Sequence, residues 1–181
     1  MSEPSDATPD DQIDGPESHL RGMGDRFLLA LAAKEKNDID TAADLLRSIL
    51  RVEPRLAEPQ MELARILMES GQLDEAEEYA REAVKLLEGG GQWTEDLPEN
   101  VVLSAAWGVL AEVLRQRADT DELVFGDADD FAKLMAETRA AFVRAAELDP
   151  TNEHAVSWAY GFDPAAAAAE QVADHDETPE A

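Results

Sequence analysis

The sequence predicts an all-α protein of stacked helix–turn–helix units, and three observations carry that reading. Two blocks superimpose at an offset of 34 residues: Leu29-Ala30 returns as Leu63-Ala64, Asn37 as Gly71, Ala42 as Ala76, and Ile49-Leu50 as Ala83-Val84. Apolar positions between the two ends follow the i, i+3, i+4, i+7 rhythm of helices. Strand-like alternation is missing. A fixed period of this length marks units that bury their apolar faces only against neighbouring units, and such stacks generally offer a curved surface to another protein.

The first helix carries Phe27, Leu28, Leu29 and Leu31 and fades at Lys36-Asn37. A second runs from about Ile39 through Ala42, Leu46, Ile49 and Leu50, and stops before Pro54, because proline restricts the residue ahead of it. The third covers about 57–70, with Met61, Leu63, Ala64 and Leu67 inside and Ser70-Gly71 as breaker. The fourth covers about 73–88, with Leu73, Ala76, Ala80 and Ala83, and ends at Gly89-Gly90-Gly91. A fifth, about 100–117, holds Val101, Leu103, Trp107, Leu110, Ala111 and Leu114. The sixth is expected to start at Asp129 or Asp130 as N-cap and to continue through Leu134, Thr138, Ala141, Phe142 and Ala145 to Leu148. A short helical segment, Glu153–Tyr160, precedes Gly161.

Charge is distributed unevenly. Acidic residues outnumber Lys plus Arg by 41 to 15, for a formal charge of −26. That balance argues against nucleic acid, whose phosphates demand a basic surface, and against anionic membranes. Met1–Leu20 and Phe162–Ala181 each hold six acids and no Lys or Arg. Both segments, 1–20 and 162–181, are expected to be acidic disordered tails, because so little apolar surface cannot offset ordering entropy. The alanines of Pro164–Glu170 would support a marginal helical turn or two. No cysteine is present, so disulfides and thiolate metal sites are excluded. No signal peptide or membrane-spanning run is evident, and the expected location is cytoplasmic.

These residues resemble the tetratricopeptide repeat (TPR) family, whose unit has a large residue at position 4, Leu at 7 and a small residue at 8. Its second helix has small residues at 20 and 27, a large one at 24 and Pro at 32. With Met23 as position 1, the first unit supplies Leu29, Ala30, Ala42, Leu46, Ile49 and Pro54, but places Arg26 and Ala33 where bulk is expected. The second, from Ala57, supplies Leu63, Ala64, Leu67, Gly71, Leu73, Ala76, Ala80 and Ala83, with Glu88 at its Pro position. The third supplies Trp107, Leu110, Ala111, Leu114, Phe142, Ala145, Ala146 and a closing Glu147-Leu148-Asp149-Pro150. It departs from the family by about 13 extra residues before it and about 15 inside it. The resemblance implies a TPR-type α-solenoid of three units (about 23–56, 57–90 and 104–152, with an insertion at 119–136) plus a short capping helix, filling one domain from 21 to 161.

In such stacks the first helices line a concave groove. The matching positions give an apolar patch, Phe27, Leu31, Met61 and Met68, beside Lys34, Arg65, Glu112 and Arg115. One reading is a partner-binding groove for an amphipathic helix or extended segment, to which soft Met side chains adapt. The other is coverage by the chain's own Ile13, Leu20 and Met23, or by a second subunit. The Lys and Asn residues by which one TPR subclass clamps a chaperone's terminal carboxylate are replaced here by Phe27, Leu31, Glu62, Ala105 and Val109. That role is not expected.

The insertion carries Leu123-Val124-Phe125-Gly126 before Asp127, Asp129 and Asp130, which suits either docking onto the stack or a contact for a partner. Asp119-Thr120-Asp121-Glu122-Leu123 fails an EF-hand loop at the third ligand. His19, His154 and His175 lie far apart, Ser104 has no paired base, and the triple glycine lacks a following Lys. No metal, cofactor or catalytic residue is expected. The sequence therefore points to a non-enzymatic interaction module or scaffold whose partner is a protein, its peptide or helix favoured if it carries basic residues. The alternatives are a small acidic cytosolic TPR chaperone for a secretion-system or assembly substrate, or an accessory subunit buried in an assembly.

Overall fold

The computed structural model describes residues 16–91, 93, 97–120 and 125–161. Among them are seven helices and no strand: α1 (Pro16–Glu35), α2 (Ile39–Val52), α3 (Ala57–Glu69), α4 (Leu73–Glu88), α5 (Glu99–Ala118), α6 (Ala128–Leu148) and α7 (Glu153–Tyr160). Each packs on the next in chain order, and α3 also packs on α5. The fold is the expected all-α, TPR-like solenoid.

The 34-residue offset is visible in the backbone. Asn37 and Gly71 both take the left-handed conformation, with φ of 60° and 76°, which glycine and asparagine tolerate best. The following N–H closes the same bond in each turn: Asp38 donates to the Ala33 carbonyl at 2.9 Å and Gln72 to that of Leu67 at 2.8 Å. The chain thus reverses twice by one device, placing α2 against α1 and α4 against α3.

Small residues let the helices approach. Ala30, Ala64 and Ala111 are fully buried on the first helices, and Ala42 and Ala76 answer from the second ones. Leu46, Ala80 and Phe142 are buried at the equivalent place on α2, α4 and α6. Trp107 packs against both the main core and a smaller cluster of Ala111, Phe142, Ala145 and Ala155. Ser104, fully buried, has a structural role. Its hydroxyl donates to the Ala145 carbonyl at 2.8 Å and accepts from Asn152 Nδ2 at 3.1 Å, tying α5, α6 and α7 together.

Ion pairs run between hairpins. Lys34 Nζ meets Glu62 at 3.1 Å, Arg47 meets Glu75 at 2.8 Å and Arg81 meets Glu137 at 2.6 Å. Glu77 receives both Arg81 and Arg117. Burial works to raise the Glu77 carboxyl, but hydrogen bonds from Arg81 and Arg117 outweigh it and hold the group below the ordinary carboxylate range.

Two expected helix starts need correction, and two side chains are more exposed than one reading of them implied. Helix α1 begins at Pro16, inside the stretch assigned to an N-terminal tail. Pro at the first helical position followed by Glu is a helix start. Leu29, which stands at the repeat's Leu position, is 59% exposed, because no described helix packs on that face of α1. Helix α6 starts earlier than expected, since Asp127 is the N-cap and accepts from the N–H of Asp129 at 2.8 Å and of Asp130 at 3.2 Å. Phe125 of the insertion is 83% exposed and does not dock onto the stack. The expected disorder of 1–15 and 162–181, the alanine run and Leu123-Val124 lie outside the described residues.

Candidate functional site

Phe27 and Leu31 stand one turn apart on α1 and face α3. Together with Glu58, Met61, Glu62 and Arg65 of α3, and Val101, Val102 and Ala105 of α5, they line a groove of about 200 Å³. Leu97 closes one side. It sits just before the Pro98 N-cap of α5, with Val102 at the fourth helical position, so the two are placed as a hydrophobic staple. A second cavity of about 320 Å³ adjoins, lined by Met23, Gly24, Ile49, Leu56 and Pro59, and shares Phe27 and Glu58 with the first. Three first helices therefore line this apolar channel, and Phe27 separates it from the second cavity, to which α2 adds Ile49.

The charges around it are largely spent internally. Glu62 accepts from Lys34 at 3.1 Å and also pairs with Arg65 on its own helix. Glu58 is buried in the first turn of α3, where the N-terminal dipole favours a carboxylate. What the channel presents to a ligand is therefore apolar surface, bordered by balanced charge.

Of the expected partner-binding residues, the structure brings Phe27, Leu31, Met61 and Arg65 into one lining and places Lys34 at its edge through Glu62. Met61, however, is only 6% exposed, covered where Leu97 and the start of α5 close over it. Met68 is half-buried against the core and lies outside the lining. Glu112 and Arg115 belong to another place. They pair with each other at 2.6 Å, and Arg115 lies over the Trp158 ring, 5.2 Å from its centroid. Burial works to raise the Glu112 carboxyl, but the Arg115 hydrogen bond, with help from His154, holds it below its usual range. Position alone missed Leu97 and Val101; the staple pattern around Pro98 was the available signal.

Among the described residues no group of three His, Asp or Glu side chains is placed to hold a metal ion. No described helix is long and apolar enough to cross a membrane.

Residues 33–90, from the last turn of α1 to the glycines after α4, match the family model "Tetratricopeptide repeat". No curated protein matches the sequence. Among solved structures, the globular C-terminal domain of P. aeruginosa LpoP aligns at a TM-score of 0.48 and 19% identity, over 71% of this chain and 99% of that one. That likeness is too distant to carry an argument. The matched repeat is typically a non-enzymatic, protein-interaction fold.

Proposed function

We propose that this chain, a tetratricopeptide-repeat protein across its first two hairpins, is a non-enzymatic interaction module that holds a peptide or helix of a partner protein. The observation that carries the reading is the apolar channel built by α1, α3 and α5. Phe27, Leu31, Leu97 and Val101 supply the surface a partner's apolar side chains would cover, while Arg65 and Lys34 border it. With those cations already paired, the net charge of −26 acts at long range and favours a partner with basic flanks. A cytoplasmic location goes with this reading.

Selection of displayed peptides against the full chain tests it. Bound peptides are expected to carry one or two large apolar residues flanked by Lys or Arg. Leu31→Glu with Leu97→Glu, both at partly open positions, should weaken them by about tenfold or more, near 1.4 kcal/mol, at unchanged melting temperature. Met61 is unsuitable for this purpose because it is buried. Unaltered peptide affinity in the double variant sinks the channel reading; selected peptides that are acidic sink its charge preference.

A further inference from the structure

The far end of the stack carries a different kind of cavity. Its volume is about 580 Å³. Phe142 stacks on Trp158 with ring centroids 5.5 Å apart, and Arg115 covers the same indole. Met135 and Arg139 line it as exposed residues. No carboxylate is among the lining side chains, although the chain has 41 acidic residues. Arg115 is neutralised by Glu112 and Asp119, whereas Arg139 has no ion pair among the described residues. Phe131, Met135 and Arg139 follow at i, i+4 and i+8, so one face of α6 leads an apolar stripe into the cavity and ends it on a guanidinium. The site suits an acidic segment with some apolar side chains.

An acidic partner in free solution would be repelled by the chain's overall field. A tethered segment is not so limited, because a short linker holds it at millimolar effective concentration. Trp158 and Ala159 of the lining lie within three residues of Gly161, where the described chain ends. The 20 residues that follow hold six acids and no Lys or Arg, together with Phe162, five consecutive alanines and Val172.

We propose that this cavity is the docking site of the chain's own segment 162–181. A carboxylate of that segment pairs with Arg139, in the geometry that makes Arg–carboxylate bonds strong, while its apolar residues cover Met135 and Trp158.

The absence of cysteine allows a direct test on the full chain. A nitroxide on Ala173→Cys should broaden the Trp158 indole N–H and the Met135 methyl signals in NMR spectra and leave the Met61 methyl signal sharp. Arg139→Glu, at an exposed position, should restore both broadened signals. So should salt near 1 M, where the Debye length falls to about 3 Å. Sharp Trp158 and Met135 signals in the labelled chain overturn the proposal, as does broadening that persists undiminished in Arg139→Glu. Broadening seen only between mixed labelled and isotope-enriched chains also overturns it and assigns the cavity to a second copy.

Discussion

Leu29 and Leu63 stand 34 residues apart at one place in the repeat, yet the first is 59% exposed and the second fully buried. Their neighbours follow the same template: Ala30 with Ala64, Ala42 with Ala76, left-handed Asn37 with left-handed Gly71. The hairpins fold alike and differ in company. The second is packed on both sides, by α2 and by α5, while among the described residues the first is packed on its α3 side alone. Within a repeat, residue type sets the hairpin; burial is decided by what lies next to it.

The largest expected effect tests this contrast directly. Leu63→Ala should cost about 3–5 kcal/mol, the scale for emptying a fully buried leucine site. Leu29→Ala should cost under about 0.5 kcal/mol, as surface substitutions do. Urea unfolding of the two variants side by side gives both numbers. A comparable loss at Leu29 would break the comparison, since it would mean that something covers that face in solution.

Carrying the comparison to the third hairpin gives the next effect. Trp107 is half-buried between the main core and the Phe142 cluster. Trp107→Ala should cost about 2–3 kcal/mol, less than a fully buried aromatic. Because stack stability is a sum of unit and neighbour terms, amide exchange should rise in α5–α7 before it rises in α2. Uniform acceleration would mean that the hairpins do not open separately.

The smallest effect concerns the ion pairs between units. The folded-state carboxyl of Glu77 titrates below its ordinary value near 4.5. Its contribution is therefore present above that value and is lost as pH falls through the folded one. Glu77→Gln should be less stable by about 1 kcal/mol at pH 7, and the gap should close on acidification. Melting curves from pH 7 to pH 3 follow it. A gap that persists in acid would show that packing around Glu77, not its charge, joins α4 to α5.

Much of the fold was legible because its punctuation is local. The bounds of α4 and α7 follow from glycine stops and an Asn cap: Gly89 ends the one, and Asn152 opens the other by accepting from the Ala155 N–H at 3.1 Å. The start of α1 was obscured because a polar, acidic first turn reads as tail until Pro16 is weighed as a helix opener. The channel was half legible. Phe27 and Leu31 recur at helix spacing on a face the repeat defines, whereas Leu97 lies in an irregular connection that no period reaches. Arg115 fits the groove position in its own repeat, but α7 supplies an indole beneath it and draws it to the other end. Such pulls come from elements distant in sequence, which periodicity does not encode.

The cross-hairpin ion pairs leave the molecule with the character of a polyelectrolyte. Of its 15 Lys and Arg residues, Lys34, Arg47, Arg81, Arg115 and Arg117 are occupied with carboxylates, so the surface turned to solvent is strongly anionic. Such a surface gathers a cloud of counterions. Dissolved salt then does two opposed things: it relieves the mutual repulsion of uncompensated carboxylates, and it screens the bridges that hold the units in line. Stability is therefore expected to pass through a maximum at intermediate ionic strength, which melting curves across a salt series would follow.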